Sequence, residues 1–331
     1  MAVMIIAEAG VNHNGSLPRA KEMAAAAKRA GADYVKYQTA VPELVVSRFA
    51  PKAAYQKQAT GDGESQLEMV RRLHFGFDAH RELKAYCEEI GIGYLSSSFD
   101  LPSVDFLCEL GVDMMKIPSG EITNLPYLER VAASRLPVLL STGMSTLPEI
   151  DDALGVLEAG GAGDITLLHC NTQYPTPFAD ANLLAMLELV KAFGLPVGYS
   201  DHTLGVTCAV AAVALGAVVI EKHFTLDKDL PGPDHKASLD LVELGALVDA
   251  VRDCEAALGS GHKRVTESEA PNARVARKSI VAARAIKAGE AFTADNLTTK
   301  RPGDGLSPMR WHEVLGQQAK KDYEEDEQIK L

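Results

Sequence analysis

Eight short apolar runs rich in Val, Ile and Leu recur along the chain, each followed by a segment with helical spacing, and this alternation constrains the fold more than any other feature. The runs are VMIIAEAG near 3–10, DYVKYQT near 33–39, IGYLSSSF near 92–99, MMKIPSG near 114–120, PVLLSTG near 137–143, DITLLHC near 164–170, PVGYSDH near 196–202 and VVIEKHF near 218–224. Intervening segments such as SLPRAKEMAAAAKRAGA and TLPEIDDALGVLEAGG carry apolar residues at i, i+3, i+4 and i+7 and often end at Gly. Strand and helix alternating eight times favour a parallel sheet covered by helices, and closure into a (β/α)8 TIM barrel is its simplest form. A doubly wound open sheet is the alternative.

After LVELGALVDAVRDCEAALG the pattern changes to short β-type runs broken by the turns KAGE and PGDG. The expected organisation is therefore a barrel domain over 1–260, a polar linker over 261–274 and a small domain over 275–331. The connection from about 40 to 76 is unusually long, which in a compact domain marks a lid or binding loop.

A formal net charge of −12 argues against nucleic acid and anionic membranes as partners, while leaving room for a local basic pocket. Five cysteines without a CxxC pair suit a reducing cytoplasm. MAVMIIAEAG has no basic leader and meets an acid at Glu8, so it reads as a first strand and not as a signal peptide. The longest uncharged apolar run, 208–220, is too short to span a bilayer, so no membrane segment is expected. EAGVNHNG lacks the dinucleotide spacing and no GxxxxGK[ST] loop occurs, which disfavours nicotinamide and ATP chemistry.

In a barrel of this kind reactive residues project from the C-terminal ends of the strands. Here the first strand ends in Glu8 and leads to Asn12, His13 and Asn14; the second carries Lys36 and Gln38; the third ends in Ser96, Ser97 and Ser98. The fourth carries Lys116, then Ser119 and Glu121, and the fifth ends in Ser141 and Thr142. His169, Asn171, Thr172 and Tyr174 follow from the sixth, Ser200, Asp201 and His202 from the seventh, and Glu221, Lys222 and His223 from the eighth. Buried polar groups without partners are costly, so their convergence implies something polar among them. Two lysines amid hydroxyls make a cradle for phosphate, the alternative being structural ion pairs of Lys36 and Lys116 with Glu8 and Glu121. His202 and His223 offer two imidazoles to a divalent ion, leaving positions open for water and substrate, which suits Mn2+ or Mg2+ better than a closed zinc site. His74, His80, His262 and His312 read as surface or packing residues, and Trp311 as core of the small domain.

AEAGVNHNGS, VKYQT, KIPSGEITNLPYL, LLSTGMST, LLHCNTQYPTP, GYSDHT, EKHFTLDK, GPDHKAS, VARKSIVA and TKRPGDGLSP, in this order over nearly the whole chain, resemble the sialic acid synthase family. Its bacterial members are N-acetylneuraminate synthases and their legionaminate and pseudaminate relatives. The resemblance implies a barrel followed by an antifreeze-like (SAF) domain in a domain-swapped homodimer. It also implies condensation of phosphoenolpyruvate with an open-chain N-acetylated amino sugar. N-acetylmannosamine is the first expectation, and a 2,4-diacetamido-trideoxyhexose of the legionaminate or pseudaminate kind is the alternative. By the same resemblance Lys36, Ser97, Lys116, Ser119, Ser141 and Ser200 surround phosphoenolpyruvate, and His202 and His223 hold the metal, Mn2+ first and Mg2+ or Co2+ as alternatives. Glu121 assists ring opening and Glu8 handles a proton of the water or of the new hydroxyl. Gln38, Tyr174 and Asp234 contact sugar hydroxyls, with His235 a loop residue nearby, and Arg301 reaches the N-acetyl group from the partner subunit. The chain departs from close relatives at Gln173, where Glu is frequent, and at Asp304, where Asn is common. A 3-deoxy-ulosonate phosphate synthase would need a second phosphate site, and a carbohydrate- or ice-binding protein would have no use for the intact lysines, histidines and glutamates.

Overall fold

Strands β1 (Met4–Gly10), β2 (Tyr34–Thr39), β3 (Gly93–Ser98), β4 (Met115–Ile117), β5 (Val138–Ser141), β6 (Ile165–Cys170), β7 (Val197–Asp201) and β8 (Val219–His223) run parallel in sequence order. β1 pairs with β2 on one side and with β8 on the other, so the sheet closes and the open-sheet alternative is excluded. This computed structural model describes residues 2–53, 56–57, 60–61 and 63–331. Met1 and, within the long connection after β2, Ala54, Tyr55, Gln58, Ala59 and Asp62 lie outside the described residues.

The helices start and stop on local chemistry. Ser16 accepts from the Arg19 amide ahead of the helix Leu17–Ala30, and Gly31, at φ 87°, closes it in the left-handed region that a side chain resists. Asp100 and Asp240 cap Leu101–Leu110 and Leu241–Leu258 in the same way. Their apolar faces and the outward side chains of the strands bury one another in the main core, which includes Ala24, Val35, Leu107, Leu140 and Leu247.

Inside the barrel the two-residue period of the strands builds layers. Ile6, Leu95, Met114, Leu139, Leu168 and Val219 form a separate apolar plug. Two residues further along the same strands stand Glu8, Ser97, Lys116, Ser141, Cys170 and Glu221. On β7 the plug position is Gly198, where an added Cβ would lie 2.6 Å from the Val219 carbonyl oxygen, so only glycine leaves room beneath Ser200.

The chain divides into the units Met1–Gly259 and Ser260–Leu331. In the second, β9 (Ser279–Ala282) pairs antiparallel with β10 (Leu297–Lys300) over a small core of Ile280, Ile286, Phe292, Val314, Tyr323 and Ile329. Trp311 packs, partly buried, against that core. The stretch read as linker runs into a short helix, Ala270–Ala276, within this unit.

Candidate active site

Above the apolar plug the lumen holds four charges in contact. Lys36 Nζ lies 2.9 Å from Glu8 Oε2 and 3.5 Å from Glu221 Oε2, and Lys116 Nζ lies 3.6 Å from Glu221 Oε1. Hydroxyls complete the layer: Lys36 donates to Ser97 Oγ at 3.0 Å, Lys116 to Ser141 Oγ at 2.8 Å, and Ser200 to Glu221 Oε1 at 3.0 Å. The strand register sets two of these pairs, with Glu8 opposite Lys36 and Ser200 opposite Glu221, and brings Ser97 beside Lys116.

The two carboxyls respond oppositely to this environment. Burial pushes Glu8 up to about 7, with Lys36 opposing and the Glu221 charge adding to the rise. Burial acts on Glu221 too, but the ammonium groups of Lys116 and Lys36 together hold it down at about 2. Lys36 is raised because Glu221 and Glu8 outweigh its burial, whereas Lys116, with one carboxylate close by, is lowered by burial. Near neutral pH the layer therefore has two lysines against one fixed carboxylate and one that is partly protonated. Such a layer favours an anion, and Glu8 is suited to take or give a proton.

His223 ends β8 opposite Glu8, and His202 stands one residue beyond β7. Their ring centroids are 5.3 Å apart, and Tyr174 packs on both, 4.2 Å from His202 and 5.6 Å from His223. His202 Nδ1 donates to the Asn171 carbonyl, which leaves its Nε2 as the unprotonated nitrogen. Nδ1 of His223 is buried without a hydrogen-bond partner. Burial lowers His202 to about 4 and His223 well below its ordinary value, so both rings are neutral, the form that binds metal. Among the described residues no group of three or more His, Cys, Asp or Glu is arranged to hold a metal. What the chain offers is a pair of imidazoles with an orphaned nitrogen, which fits an ion whose other positions are left to water and ligand. Gly10, at φ 51°, permits this corner: a Cβ there would stand 3.2 Å from Glu8 Oε1 and 3.4 Å from His223 Cε1.

A cavity of about 530 Å³ opens over these groups, and Glu8, Lys36, Gln38, Ser97, Lys116, Ser119, Ser141, Tyr174, Ser200, His202, His223 and Asp234 all line it. Burial raises Asp234 to about 6. Ser119 Oγ accepts from the Gly143 amide at 3.0 Å and lies 3.2 Å from Cys170 Sγ, a wall residue that sequence reasoning passed over. Glu121 is not among the lining residues; it follows Ser119 in a short 3-10 turn, half-buried, and accepts from Asn124 at 2.6 Å. Arg301 belongs to the second unit, where it is exposed and its Nε donates to the Ala276 carbonyl at 3.0 Å.

Several strand-end residues do not converge on the lumen. Lys222 points out of the barrel to pair with Asp201 Oδ2 at 2.8 Å, because it is one residue out of phase with Glu221 and His223. His13 stacks on Phe75 at 3.9 Å, and His169 Nε2 meets the Ala181 carbonyl at 2.9 Å. His235 is wholly buried in the fold, 2.7 Å from Thr225 Oγ1. Lys116 pairs with Glu221 and not with Glu121, the partner it would have had in the alternative of structural ion pairs. Sequence reasoning places Glu221 at a strand end but gives it no role in the site, although its two-residue spacing from His223 carries the signal.

The chain is similar over most of its length to known proteins. The chain is 53% identical over 329 residues, 99% of its length and 98% of the relative's, to N,N'-diacetyllegionaminic acid synthase of Campylobacter jejuni serotype O:2. It is 45% identical to the protein of the same name from Legionella pneumophila, over 96% of this chain and 90% of that one. A solved N-acetylneuraminic acid (sialic acid) synthetase from Leptospira borgpetersenii, in complex with citrate, matches with a TM-score of 0.72 and 34% identity over 82% of this chain and 90% of that one. Residues 277–331 match the SAF domain. With residues 23–263 matched by the NeuB family profile, the chain belongs to the NeuB family.

Proposed function

We propose that the chain condenses phosphoenolpyruvate with open-chain 2,4-diacetamido-2,4,6-trideoxymannose, giving a nine-carbon 2-keto acid of the legionaminic type and phosphate. The observation that carries this reading is the 53% identity, over 99% of the chain, to a protein named N,N'-diacetyllegionaminic acid synthase. It favours the diacetamido sugar over N-acetylmannosamine, the first expectation from the sequence. An N-acetylneuraminate synthase is the second reading, supported by the 34% identity to the solved synthetase.

In this account Lys36 and Lys116, with Ser97, Ser119, Ser141 and Ser200, hold the phosphate and carboxylate of phosphoenolpyruvate in the layer where positive charge is in excess. Gln38, Tyr174 and Asp234 orient the sugar. His202 and His223 would hold a divalent ion, Mn2+ first with Mg2+ or Co2+ as alternatives, which supplies Lewis-acid polarisation when bound. Carbon-3 of phosphoenolpyruvate forms a bond to the aldehyde carbon, whose oxygen takes a proton and becomes a hydroxyl. Water adds to carbon-2, loses a proton, and the resulting tetrahedral carbon expels phosphate by breaking its C–O bond. Glu8, raised to about 7, exchanges a proton with the water or the new hydroxyl. Glu121, raised by burial, assists ring opening, and Arg301 reads an acetamido group in a homodimer. All five thiols are free, which supports a cytoplasmic location, and no helix of the described residues is long and apolar enough to cross a membrane.

Phosphate release from phosphoenolpyruvate, measured with each sugar, tests the reading. The expected result is a kcat/KM at least about tenfold higher with the diacetamido sugar, the discrimination a few group contacts can provide. Preference for N-acetylmannosamine would transfer the assignment to the second reading, and no release with any amino sugar would overturn the enzyme assignment.

A further inference from the structure

One stretch of the cavity wall is apolar. Val11, Met69 and Leu73 form a small buried cluster separate from the barrel core, with Val70 packed against it. All four residues line the cavity. Val11 follows Gly10, which abuts Glu8 and His223, so the cluster adjoins the corner where the two imidazoles stand. The other three belong to the helix Gln66–Leu73. That helix is fixed at its start by a reciprocal cap, in which Ser65 Oγ accepts from the Glu68 amide at 3.2 Å and Glu68 Oε2 accepts from the Ser65 amide at 2.8 Å. The apolar wall is therefore built on a capped helix inside the long connection, which makes it a defined surface and not a free loop.

We propose that this wall seats a methyl group of the sugar and thereby sets the preference among amino sugars. The methyl is either C6 of a 6-deoxy sugar or the end of a C4 acetamido group. The inference rests on the substrate reading above. Aliphatic side chains and a thioether offer a hydroxyl almost no hydrogen-bonding partner, so a C6 hydroxyl held against these four gives up water that they do not replace, and must turn to polar lining such as Gln66 on the same helix. A methyl covers what Val70, the half-buried member, still shows to water and packs against three side chains that are already buried.

Four sugars separate the sources: N-acetylmannosamine, its 6-deoxy analogue, 2,4-diacetamido-2,4-dideoxymannose and the 2,4-diacetamido-2,4,6-trideoxy sugar. Each is assayed by phosphate release with the wild-type chain, Val70→Thr and Met69→Gln. Val70→Thr keeps the side-chain shape at a half-buried position, Met69→Gln keeps the length, and thermal melting identifies which variants are folded. The wild type is expected to gain about tenfold in kcat/KM for the methyl that the wall seats, and a folded variant to erase most of that ratio. Whichever single-methyl sugar loses its advantage identifies C6 or C4 as the source. A ratio unchanged in the folded variants, or an equal fall on all four sugars, overturns the wall as the reader. A wild-type preference for N-acetylmannosamine overturns the substrate reading itself, and that result needs no variant.

Discussion

Glu221 stands between two lysines, and its charge reaches Glu8 as well as its own partners. Burial is the main reason Glu8 is raised, and Glu221→Gln removes the charge that adds to it, so the pH at which Glu8 ionises should fall below about 7. If Glu8 takes the proton of water, the acid limb of the kcat/KM profile moves down with it; an unmoved or upward-shifted limb would contradict the coupling. The same change strands Lys116, which has a single carboxylate close by, and should cost about 3–5 kcal/mol of stability in a denaturant titration. At the second corner, His202→Ala combined with His223→Ala should abolish Mn2+ binding by calorimetry, and retained binding would sink the ligand assignment. Most of these residues were legible because each sits in phase on its own strand. The place of Glu221 was legible too but its role was not, since which lysine meets which carboxylate depends on neighbours across the lumen, and a linear sequence holds no record of those.

At the scale of elements, β7 and β8 show how one residue of phase separates chemistry from support. Ser200 and Glu221 face the lumen, while Asp201 and Lys222 pair outside it, where Asp201 also accepts from the Thr203 amide at 2.8 Å and from its hydroxyl at 2.7 Å. Lys222→Met leaves Asp201 buried without its counter-ion and should lower stability by about 3 kcal/mol or more, with kcat/KM nearly unchanged. A selective loss of activity without loss of stability would mean that Lys222 serves the lumen after all. Gly198→Ala drives a methyl against Val219 and should cost about 1–3 kcal/mol in unfolding free energy. The eight strands and their helices were readable from periodicity, because each run is short, apolar and bounded by turn residues. The convergence of all polar strand ends was overstated at Lys222 and His169, each one residue out of phase with its lumen-facing neighbours, and at His13, which lies in the turn beyond β1. The helix Gln66–Leu73 hid inside the long connection, although Ser65 and Glu68 spell its cap.

For the whole molecule, buried histidines set the response to acid. Burial holds His13 at about 3 and His80, His202 and His235 at about 4, and lowers His223 further still. These rings are neutral in the fold but take protons in the unfolded chain below about 6.5, so their contribution to stability declines as pH falls from there toward their folded values. Glu8 and Asp234, raised to about 7 and about 6, act in the opposite sense: their contribution is present at low pH and lost as pH rises through those values. The histidines outnumber them, so stability should fall from pH 6.5 to pH 5 by about 1.4 kcal/mol per pH unit for each net proton. Chemical denaturation at the two pH values checks this, and equal or greater stability at pH 5 would contradict it. The barrel and the small second unit were both legible from the change of pattern near residue 260, whereas the layered lumen emerged only when the strands closed. The central claim is that this lumen cleaves the C–O bond of phosphoenolpyruvate after joining it to an amino sugar. Phosphoenolpyruvate labelled with oxygen-18 in its bridging C–O–P position, turned over with the diacetamido sugar, tests that directly: the account predicts the label in the released phosphate, and label retained in the 2-keto acid would contradict it.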